Sequence, residues 1–376
     1  VSSGDTLDLN GQRMECSGTL TNNGEIDFDG MIYAPDLNLD GTTTNKSSGT
    51  VVLQPTSAVG ALDLRDDATL GTLMINAGTN RVDIAGTNNA ASATNLFVGT
   101  GILDLADKAM SYTDMNIATG GTLDADSSTL TVAGDFTTSG GLIGKSALEF
   151  NGSSTTCKVS DHSDFDAFTN LTVMGWFKLD TVGQDCALMG QNSSFLLTAL
   201  NNSGDVVKFA VYDSNASDWV SATGTTALTV DNKWHHVAGV VDASNDKLYV
   251  YLDGKLDGEA TWSDSMAVNG SSADINIGGY NDSKYFDGEL GVASIWNVAL
   301  TAPQIRAKMF SDFASLDSNT GCKGWWQFDE GTGTSVASEV GSHTATVANG
   351  AWAGAGTFTY GTSTLKMTGT NKYIYH

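Results

Sequence analysis

The hydrophobic positions of the chain follow a period of two, which predicts strands rather than helices. Residues 234–241 alternate across two faces, the polar stretch 242–246 follows, and residues 247–252 form a second run rich in Tyr and Val. Asp253 and Gly254 then supply the dipeptide that most readily adopts the positive φ values of a tight hairpin. Apolar residues occupy both faces of the first strand, so we expect it to lie inside a sandwich of two sheets.

Before Gly141 a different pattern recurs, a five-residue unit of apolar, polar, apolar, variable and Gly. It occupies residues 7–11, 26–30, 37–41, 82–86 and 130–134, and it returns at 148–152 and 365–369. Short alternating strands, each followed by a turn residue, are what a β-solenoid needs, because each coil buries its apolar positions against the next. The spacing of the units is irregular, so a small β-sandwich is the alternative. Residues 1–141 are therefore predicted to be a repetitive β stalk.

The hairpin region, residues 232–258, resembles the core hairpin of laminin-G-like, concanavalin A-type jelly rolls. Further segments agree with that family in order, at residues 171–178, 275–288 and 295–305. The resemblance covers about residues 144–354 and implies a jelly-roll sandwich. The stalk is similar to repeats of phage appendage proteins and bacterial surface adhesins. The expected organisation is an all-β chain with a stalk at 1–141, a jelly roll at 142–354, and a closing strand or the start of a further module at 355–376.

Composition narrows the classes of partner. The chain has 43 Asp and Glu residues against 18 Lys and Arg, a net charge of −25. Such a charge argues against nucleic acid and against an anionic membrane surface. No apolar run approaches the roughly 20 residues of a membrane helix. The chain begins at Val1 without a visible signal peptide, from which we expect a processed or partial product.

The four cysteines are too scattered for a disulfide scaffold or a zinc cluster of CxxC spacing. They are Cys16, Cys157, Cys186 and Cys322. Cys157 and Cys186 fall in the predicted jelly roll and could pair if their strands are neighbours, although buried free thiols are the expected state.

Acidic residues in the stalk resemble a catalytic pattern. Glu25, Asp27 and Asp29 would project from one face of a strand, and the E-x-D-x-E face of laminarinase-like enzymes is similar. However, Asp27 fills a repeat position that holds Asn38 and Thr131 elsewhere, which indicates a solvent-facing position. We therefore expect no catalysis there.

The histidines suggest no catalytic centre either. His235 and His236 are adjacent, so on a strand they face opposite sides, and we expect one in the core and the other on the surface. His162 and His343 are isolated in the sequence, without a recognisable catalytic partner.

Calcium is a cofactor that the resemblance implies, since many members of that family bind it at the rim of the sandwich. Hard oxygen ligands suit calcium. The candidate ligands are Asn281, Asp282, Asp287 and Glu289. After Gly288 the sequence departs from the family pattern. The alternative is that 287–288 is a hairpin turn and 281–282 a solvated loop.

Exposed aromatic residues in loops are the candidates for contact with glycans, because sugar faces stack on rings while polar groups bind hydroxyls. Trp219, Trp262 and Tyr280 lie among polar neighbours. Trp176, Trp234 and Trp296 lie in alternating strands and are expected in the core. Residues 301–310 form the single predicted helix, with Ile305, Met309 and Phe310 facing the sandwich.

These patterns together predict a non-enzymatic structural and adhesive protein outside the cell. The preferred hypothesis is a phage virion fibre or decoration protein whose jelly roll binds glycans or a neighbouring subunit, with a homo-oligomer as one compatible assembly. A bacterial cell-surface adhesin and a purely architectural subunit are alternatives. A polysaccharide-degrading glycanase or lyase is another, and a glycanase would need paired carboxylates about 5–10 Å apart.

Overall fold

The structure is a computed structural model, and it describes residues 1–39, 42–44, 49–64, 69–86, 90–166, 168–201, 204–262, 267–368 and 373–375. Gly41 and Gly369, which end two of the five-residue units, lie outside these ranges. The chain divides into two compact units, residues 1–145 with 354–376 and residues 146–353. The described residues are nearly all β-structure, as predicted. None of their helices has the length and apolar character needed to cross a membrane.

The first unit is a parallel β-solenoid. Its strands before residue 146 are β1 (Thr6–Asp8), β2 (Arg13–Glu15), β3 (Leu20–Thr21), β4 (Glu25–Asp27), β5 (Met31–Ala34), β6 (Leu37–Leu39), β7 (Thr42–Thr44), β8 (Thr50–Leu53), β9 (Val59–Leu64), β10 (Thr69–Ile84), β11 (Ala90–Asp104), β12 (Ala109–Ala118), β13 (Gly121–Asp124), β14 (Thr129–Val132) and β15 (Phe136–Gly140). The pairings among these described strands are parallel. Paired residues are 17 positions apart at Leu20 and Leu37 and 25 apart at Leu37 and Leu62. The solenoid prediction is therefore confirmed. The number of residues in each coil, which varies, sets the spacing between the repeated units.

Each coil places one apolar residue in a common ladder. The ladder runs through Met14, Ile32, Val51, Leu73, Leu96, Met115 and Phe136. All of these except Met14 are at most 2% exposed. Burial of such a side chain stabilises by roughly 1.5–3 kcal/mol, so the stack of coils provides the core of this unit.

The second unit is a sandwich of two antiparallel sheets. Its strands are β16 (Leu148–Asn151), β17 (Thr156–Val159), β18 (Leu171–Leu179), β19 (Cys186–Gln191), β20 (Phe195–Leu200), β21 (Lys208–Asp213), β22 (Asp218–Thr223), β23 (Trp234–Asp242), β24 (Lys247–Leu252), β25 (Lys255–Thr261), β26 (Ile275–Ile277), β27 (Asp287–Trp296), β28 (Cys322–Trp326), β29 (Ser335–Val336), β30 (Ala345–Ala348) and β31 (Ala351–Trp352). The first sheet has the order β25-β24-β23-β18-β27-β16-β31, with β28 beside β27. The second has the order β22-β21-β20-β19-β26-β17-β30-β29. Strands β23 and β24 form the predicted hairpin.

Both faces of the first sheet are covered. The inner face packs on the second sheet through a core that includes Phe150, Phe177, Phe209 and Phe286. The chain after β27 covers the outer face with helix α1 (Ala302–Lys308), close to the predicted 301–310. Ile305, Met309 and Phe310 are buried as predicted, and the Trp176 indole donates to the Met309 carbonyl. Two further short segments, Ser163–Phe165 and Phe313–Ser315, are 3-10 helices.

Both adjacent histidines of β23 are buried, so the expectation of one surface histidine is wrong. His236 faces Trp176 on the outer side, with ring centroids 5.3 Å apart. His235 turns inward, where its ring lies between two carboxylates instead of in solvent. Its Nδ1 lies 3.0 Å from Asp253 Oδ2 and its Nε2 lies 3.5 Å from Asp231 Oδ1.

The four cysteines are free thiols, as expected. Strand β26 lies between the strands that carry Cys157 and Cys186, and Cys157 pairs with Ile277 of β26. Two strand spacings, about 9.6 Å, exceed the reach of a disulfide, which is about 7 Å between Cα atoms.

The last residues return to the solenoid. Strands β32 (Thr357–Thr359), β33 (Thr364–Met367) and β34 (Ile374–Tyr375) pair in parallel with β13, β14 and β15. Phe358 packs edge-on against Phe136, with ring centroids 5.2 Å apart. The residues that the sequence left as a closing strand or a further module thus extend the solenoid, and the sandwich is inserted in it. The ends of the insertion meet, since Ala353 N donates to Ala147 O at 2.9 Å.

Candidate functional site

Three aromatic side chains meet at the edge of the second sheet. Tyr212 of β21 lies directly opposite Trp219 of the edge strand β22. Their ring centroids are 5.6 Å apart, and the ring of Trp219 is 6.3 Å from that of Tyr280, both edge-to-face. We call Tyr212, Trp219 and Tyr280 the aromatic patch. Trp219 is 38% exposed, so a large part of its indole is open to solvent.

The structure brings together two of the three predicted glycan-contact residues, Trp219 and Tyr280. Sequence reasoning missed Tyr212. The signal in the sequence is the polar run 213–218, which is typical of a hairpin turn. The structure pairs Asp213 with Asp218 across this turn and so places Tyr212 opposite Trp219.

Polar groups border the aromatic patch. The Tyr280 hydroxyl accepts a hydrogen bond from Ser193 N at 3.3 Å and donates to Asn192 Oδ1 at 3.3 Å. The Asn269 side chain donates to Ser193 O at 2.8 Å. Burial raises the pKa of Tyr280, against a smaller lowering by the Ser193 amide, so the hydroxyl stays protonated and able to donate. Ring faces and hydrogen-bonding groups therefore lie side by side.

Trp262 does not join the patch. The expectation that its ring is exposed is wrong, because it is 6% exposed and belongs to the core of the sandwich. Strand β25 ends with Thr261 exposed, and the alternation of a strand turns the following side chain inward.

The predicted calcium ligands Asn281 and Asp282 form the centre of a tight turn. Tyr280 and Ser283 exchange backbone hydrogen bonds of 2.9 Å on either side of it. Asn281 and Asp282 have φ values of 50° and 49°, and Asp282 forms an ion pair of 2.5 Å with Lys158.

The other two candidate ligands, Asp287 and Glu289, lie in β27 of the opposite sheet. Glu289 is 8% exposed, and its carboxylate lies 2.7 Å from Lys178 Nζ. Burial raises the pKa of Glu289, and the ammonium of Lys178 opposes that rise. Two of the four candidates therefore already pair with lysines, and calcium binding by this set stays a prediction.

Among the described residues, one group of three His, Cys, Asp or Glu side chains has ligand atoms close enough to share an ion. It consists of His162, Asp164 and His343. No local pattern predicts this group, because Asp164 and His343 lie 179 positions apart in the chain.

The acidic residues of the solenoid make local contacts. Glu25 and Asp27 lie on β4 on either side of the buried Ile26. Glu25 accepts a hydrogen bond from the Thr6 hydroxyl at 3.5 Å, and Asp29 accepts one from Gly11 N at 3.0 Å.

Residues 151–306 match the family model of the concanavalin A-like lectin/glucanases superfamily. Similar solved structures include a candidate carbohydrate-binding protein from Bacteroides ovatus, with 20% identity, a TM-score of 0.46, and coverage of 56% of this chain and 59% of that one. No curated protein matched the sequence.

Two further similar structures cover smaller parts of this chain. The SAP-like pentraxin of Limulus polyphemus has 18% identity, a TM-score of 0.35, and coverage of 43% and 80% of the two chains. CBM40 of the Ruminococcus gnavus IT-sialidase, bound to alpha2,3 sialyllactose, has 14% identity, a TM-score of 0.36, and coverage of 45% and 98%. The family match and the two antiparallel sheets together show that the second unit carries a concanavalin A-like sandwich domain.

Proposed function

We propose that the sandwich unit is a non-enzymatic glycan-binding module and that the aromatic patch is its contact surface. The observation that carries the proposal is the exposed indole of Trp219, held at a sheet edge between Tyr212 and Tyr280. A sugar ring presents an apolar C–H face bordered by hydroxyls. The patch offers a ring for that face, with the Asn192 and Tyr280 oxygens beside it for hydroxyls.

The patch is preorganised. Edge-to-face pairs contribute about 0.5–1.5 kcal/mol each beyond their buried area, so the two contacts restrain the Trp219 ring before a ligand arrives. A restrained side chain loses less conformational entropy on binding, which favours recognition of a shallow ligand such as a glycan.

The acidic residues of the first sheet support binding rather than hydrolysis. Glu149 and Glu289 lie opposite each other in β16 and β27. Hydrolysis of a glycoside needs one carboxylic acid and one carboxylate acting on the same bond. Glu289 is engaged instead by Lys178, whose side chain is 5% exposed, while Glu149 is exposed. We infer that Glu289 and Lys178 form a buried structural ion pair and that Glu149 is its exposed neighbour.

We further propose that the chain is a structural component outside the cell, a phage virion fibre or decoration protein, or alternatively a bacterial surface adhesin. Coil-on-coil stacking in the solenoid supports this role, since such arrays make durable scaffolds for a binding domain. The partners would be surface glycans or neighbouring structural subunits. A net charge of −25 favours solubility of a protein that works in a crowded assembly.

A glycan array tests the proposal, with the wild-type chain compared in calcium and in EDTA. Trp219→Ala should weaken binding by about tenfold or more, which corresponds to about 1.4 kcal/mol. Tyr360→Ala is the matched control, because Tyr360 is a 70% exposed aromatic residue of the solenoid unit. It should bind as the wild type does.

Each other outcome is informative. Equal binding by Trp219→Ala and the wild type would remove the patch from the site. Binding to neighbouring subunits but to no glycan would favour the architectural function. Release of reducing sugar from a bound polysaccharide would contradict the non-enzymatic assignment. Loss of binding in EDTA that Ca²⁺ restores and Zn²⁺ does not would support calcium.

A further inference from the structure

We propose that His162, Asp164 and His343 form a binding site for a divalent first-row transition-metal ion, for which Zn²⁺ is the probe. His162 and Asp164 lie at the start of the 3-10 helix Ser163–Phe165, and His343 lies two residues before β30. The fold alone brings these side chains together. We call them the imidazole–carboxylate cluster.

The distances suit ligands of one ion. Asp164 Oδ2 lies 3.0 Å from His343 Nε2 and 3.3 Å from His162 Nδ1. The three ligand atoms all lie within 4.8 Å of one another. Two atoms bonded to one zinc ion at about 2.1 Å are about 3.0–3.4 Å apart in octahedral or tetrahedral geometry, so small movements complete the site.

The hydrogen bonding at His162 favours a cation. Its Nδ1 accepts a hydrogen bond from Asp164 N at 3.1 Å, as the N-cap of the 3-10 helix. An accepting ring nitrogen carries a lone pair and no proton. His162 Nδ1 therefore lies 3.3 Å from Asp164 Oδ2, and no proton of the ring lies between these two electron-rich atoms. A metal ion coordinated by both atoms removes the repulsion and replaces the hydrogen bond of the cap.

One ligand of the cluster, His343, is buried against the core of the sandwich, whereas His162 and Asp164 are open to solvent. His343 is 7% exposed, and its ring centroid lies 4.7 Å from that of the fully buried Phe165. The Trp326 indole donates to His343 O at 2.8 Å. His162 and Asp164 keep 50% and 41% of their side chains exposed. An ion can therefore enter from solvent onto a rigid imidazole.

The donor set selects the class of ion. Imidazole nitrogen suits zinc, copper and nickel, whereas calcium takes six to eight oxygen ligands. Three protein ligands leave a coordination position for water or for an oxygen of another molecule. Asp164 also lines a polar groove of about 270 Å³ with Ser163, Asn297 and Lys323, which offers room for such an oxygen. Lys323 lies 3.8 Å from Asp164 Oδ1 and leaves Oδ2 to the ion.

Metal titration of the untagged full chain tests the proposal. After EDTA treatment and dialysis, Zn²⁺ binding is measured by calorimetry and Co²⁺ binding by visible absorption, with one ion per chain expected. His162→Asn removes the imidazole but keeps a good N-cap acceptor. Asp164→Asn removes the carboxylate. Each should weaken Zn²⁺ binding by at least about tenfold, the range that even outer partners of metal ligands reach.

Asp161→Asn is the matched control, because Asp161 is an exposed acid next to the cluster that is outside the ligand set. It should retain the wild-type affinity. Thermal melts in EDTA establish that the variants fold, and Zn²⁺ should raise the melting temperature of the wild type and the control only. Equal Zn²⁺ affinity in all four proteins, absence of one-to-one binding, or displacement of Zn²⁺ by equimolar Ca²⁺ would each overturn the proposal.

Discussion

Replacing Asp253 with Asn should remove much of the stability that His235 contributes to the sandwich. Burial lowers the pKa of His235, but the charge of Asp253 and the hydrogen bonds with Asp231 and Asp253 outweigh burial and raise it to about 10. His235 is therefore charged in the folded protein at neutral pH, in a site where it is 9% exposed.

The sign and size of the effect follow from the two pKa values. The pKa of His235 rises from 6.5 in the unfolded chain to about 10 in the folded one. A group whose pKa is raised on folding stabilises the native state fully below its unfolded pKa, and this stability is lost as the pH rises through the folded pKa. At pH 7 the contribution is on the order of 4 kcal/mol, and it should vanish above pH 10.

The substitution isolates the charge. Asp253 has a φ of 51°, a region that Asn adopts readily, so the backbone is not strained. Asn also keeps the oxygen that accepts from His236 N at 2.9 Å. With Asp231 still in place, Asp253→Asn should cost about 3 kcal/mol at pH 7, the scale of breaking a buried pair, and little near pH 10.

Tryptophan fluorescence during urea unfolding measures this effect in the sandwich alone, because all 8 tryptophans lie between residues 146 and 353. Asp246→Asn is the matched control, an exposed Asp of the same hairpin with a φ of 52°. The free energy of unfolding is compared at several values between pH 6.5 and 9.5. A difference between wild type and Asp253→Asn that stays constant over this range, or an equal loss in the control, would refute the reasoning.

Two further predictions concern packing and thiols. A Cβ on Gly239 would lie 2.2 Å from the Phe209 ring, so Gly239→Ala should destabilise the sandwich by about 1–3 kcal/mol. Adding Phe209→Leu should recover part of that loss in urea unfolding, and simple additivity of the two changes would contradict the steric explanation. Burial raises the pKa values of all four thiols, to about 12 for Cys186 and Cys322, but only Cys16 is half-buried rather than buried, so a thiol reagent should label Cys16 alone in the native protein. All four should react in guanidinium, and fewer would indicate a disulfide.

Much of the fold could be predicted because alternation along a strand is a local property. The hairpin of β23 and β24 and the buried pairs of the five-residue units depend on neighbouring residues alone. The return of residues 354–376 also left a signal, since Leu365 and Met367 repeat the spacing of Leu130 and Val132, with which they pair. The sequence alone does not show that this repeat forms a further coil, because that depends on which distant strand it pairs with, and no local pattern specifies the pairing.

The candidate sites were harder to predict. They depend on contacts between residues that are distant in the sequence, or on which face of a strand one side chain occupies. Trp262 lies among polar residues, yet alternation past Thr261 turns it inward. Tyr212 becomes part of the patch only through its cross-strand partner Trp219. His162 and His343 are isolated along the chain and acquire Asp164 as a shared neighbour only when β17 and β30 pair.

The insertion of the sandwich has a consequence for biosynthesis. The ribosome delivers residues 146–353 after strands β1 to β15 and before strands β32 to β34, so the strands that extend the solenoid are synthesised only after an entire domain. Until then Phe136 lacks the Phe358 ring that covers it, and the newest coil presents an open strand edge. Because a backbone hydrogen bond joins the two ends of the insert, a sandwich that folds early would bring the residues that follow it next to the residues that precede it. The order of synthesis therefore favours folding of the sandwich before β32 to β34 pair with the solenoid.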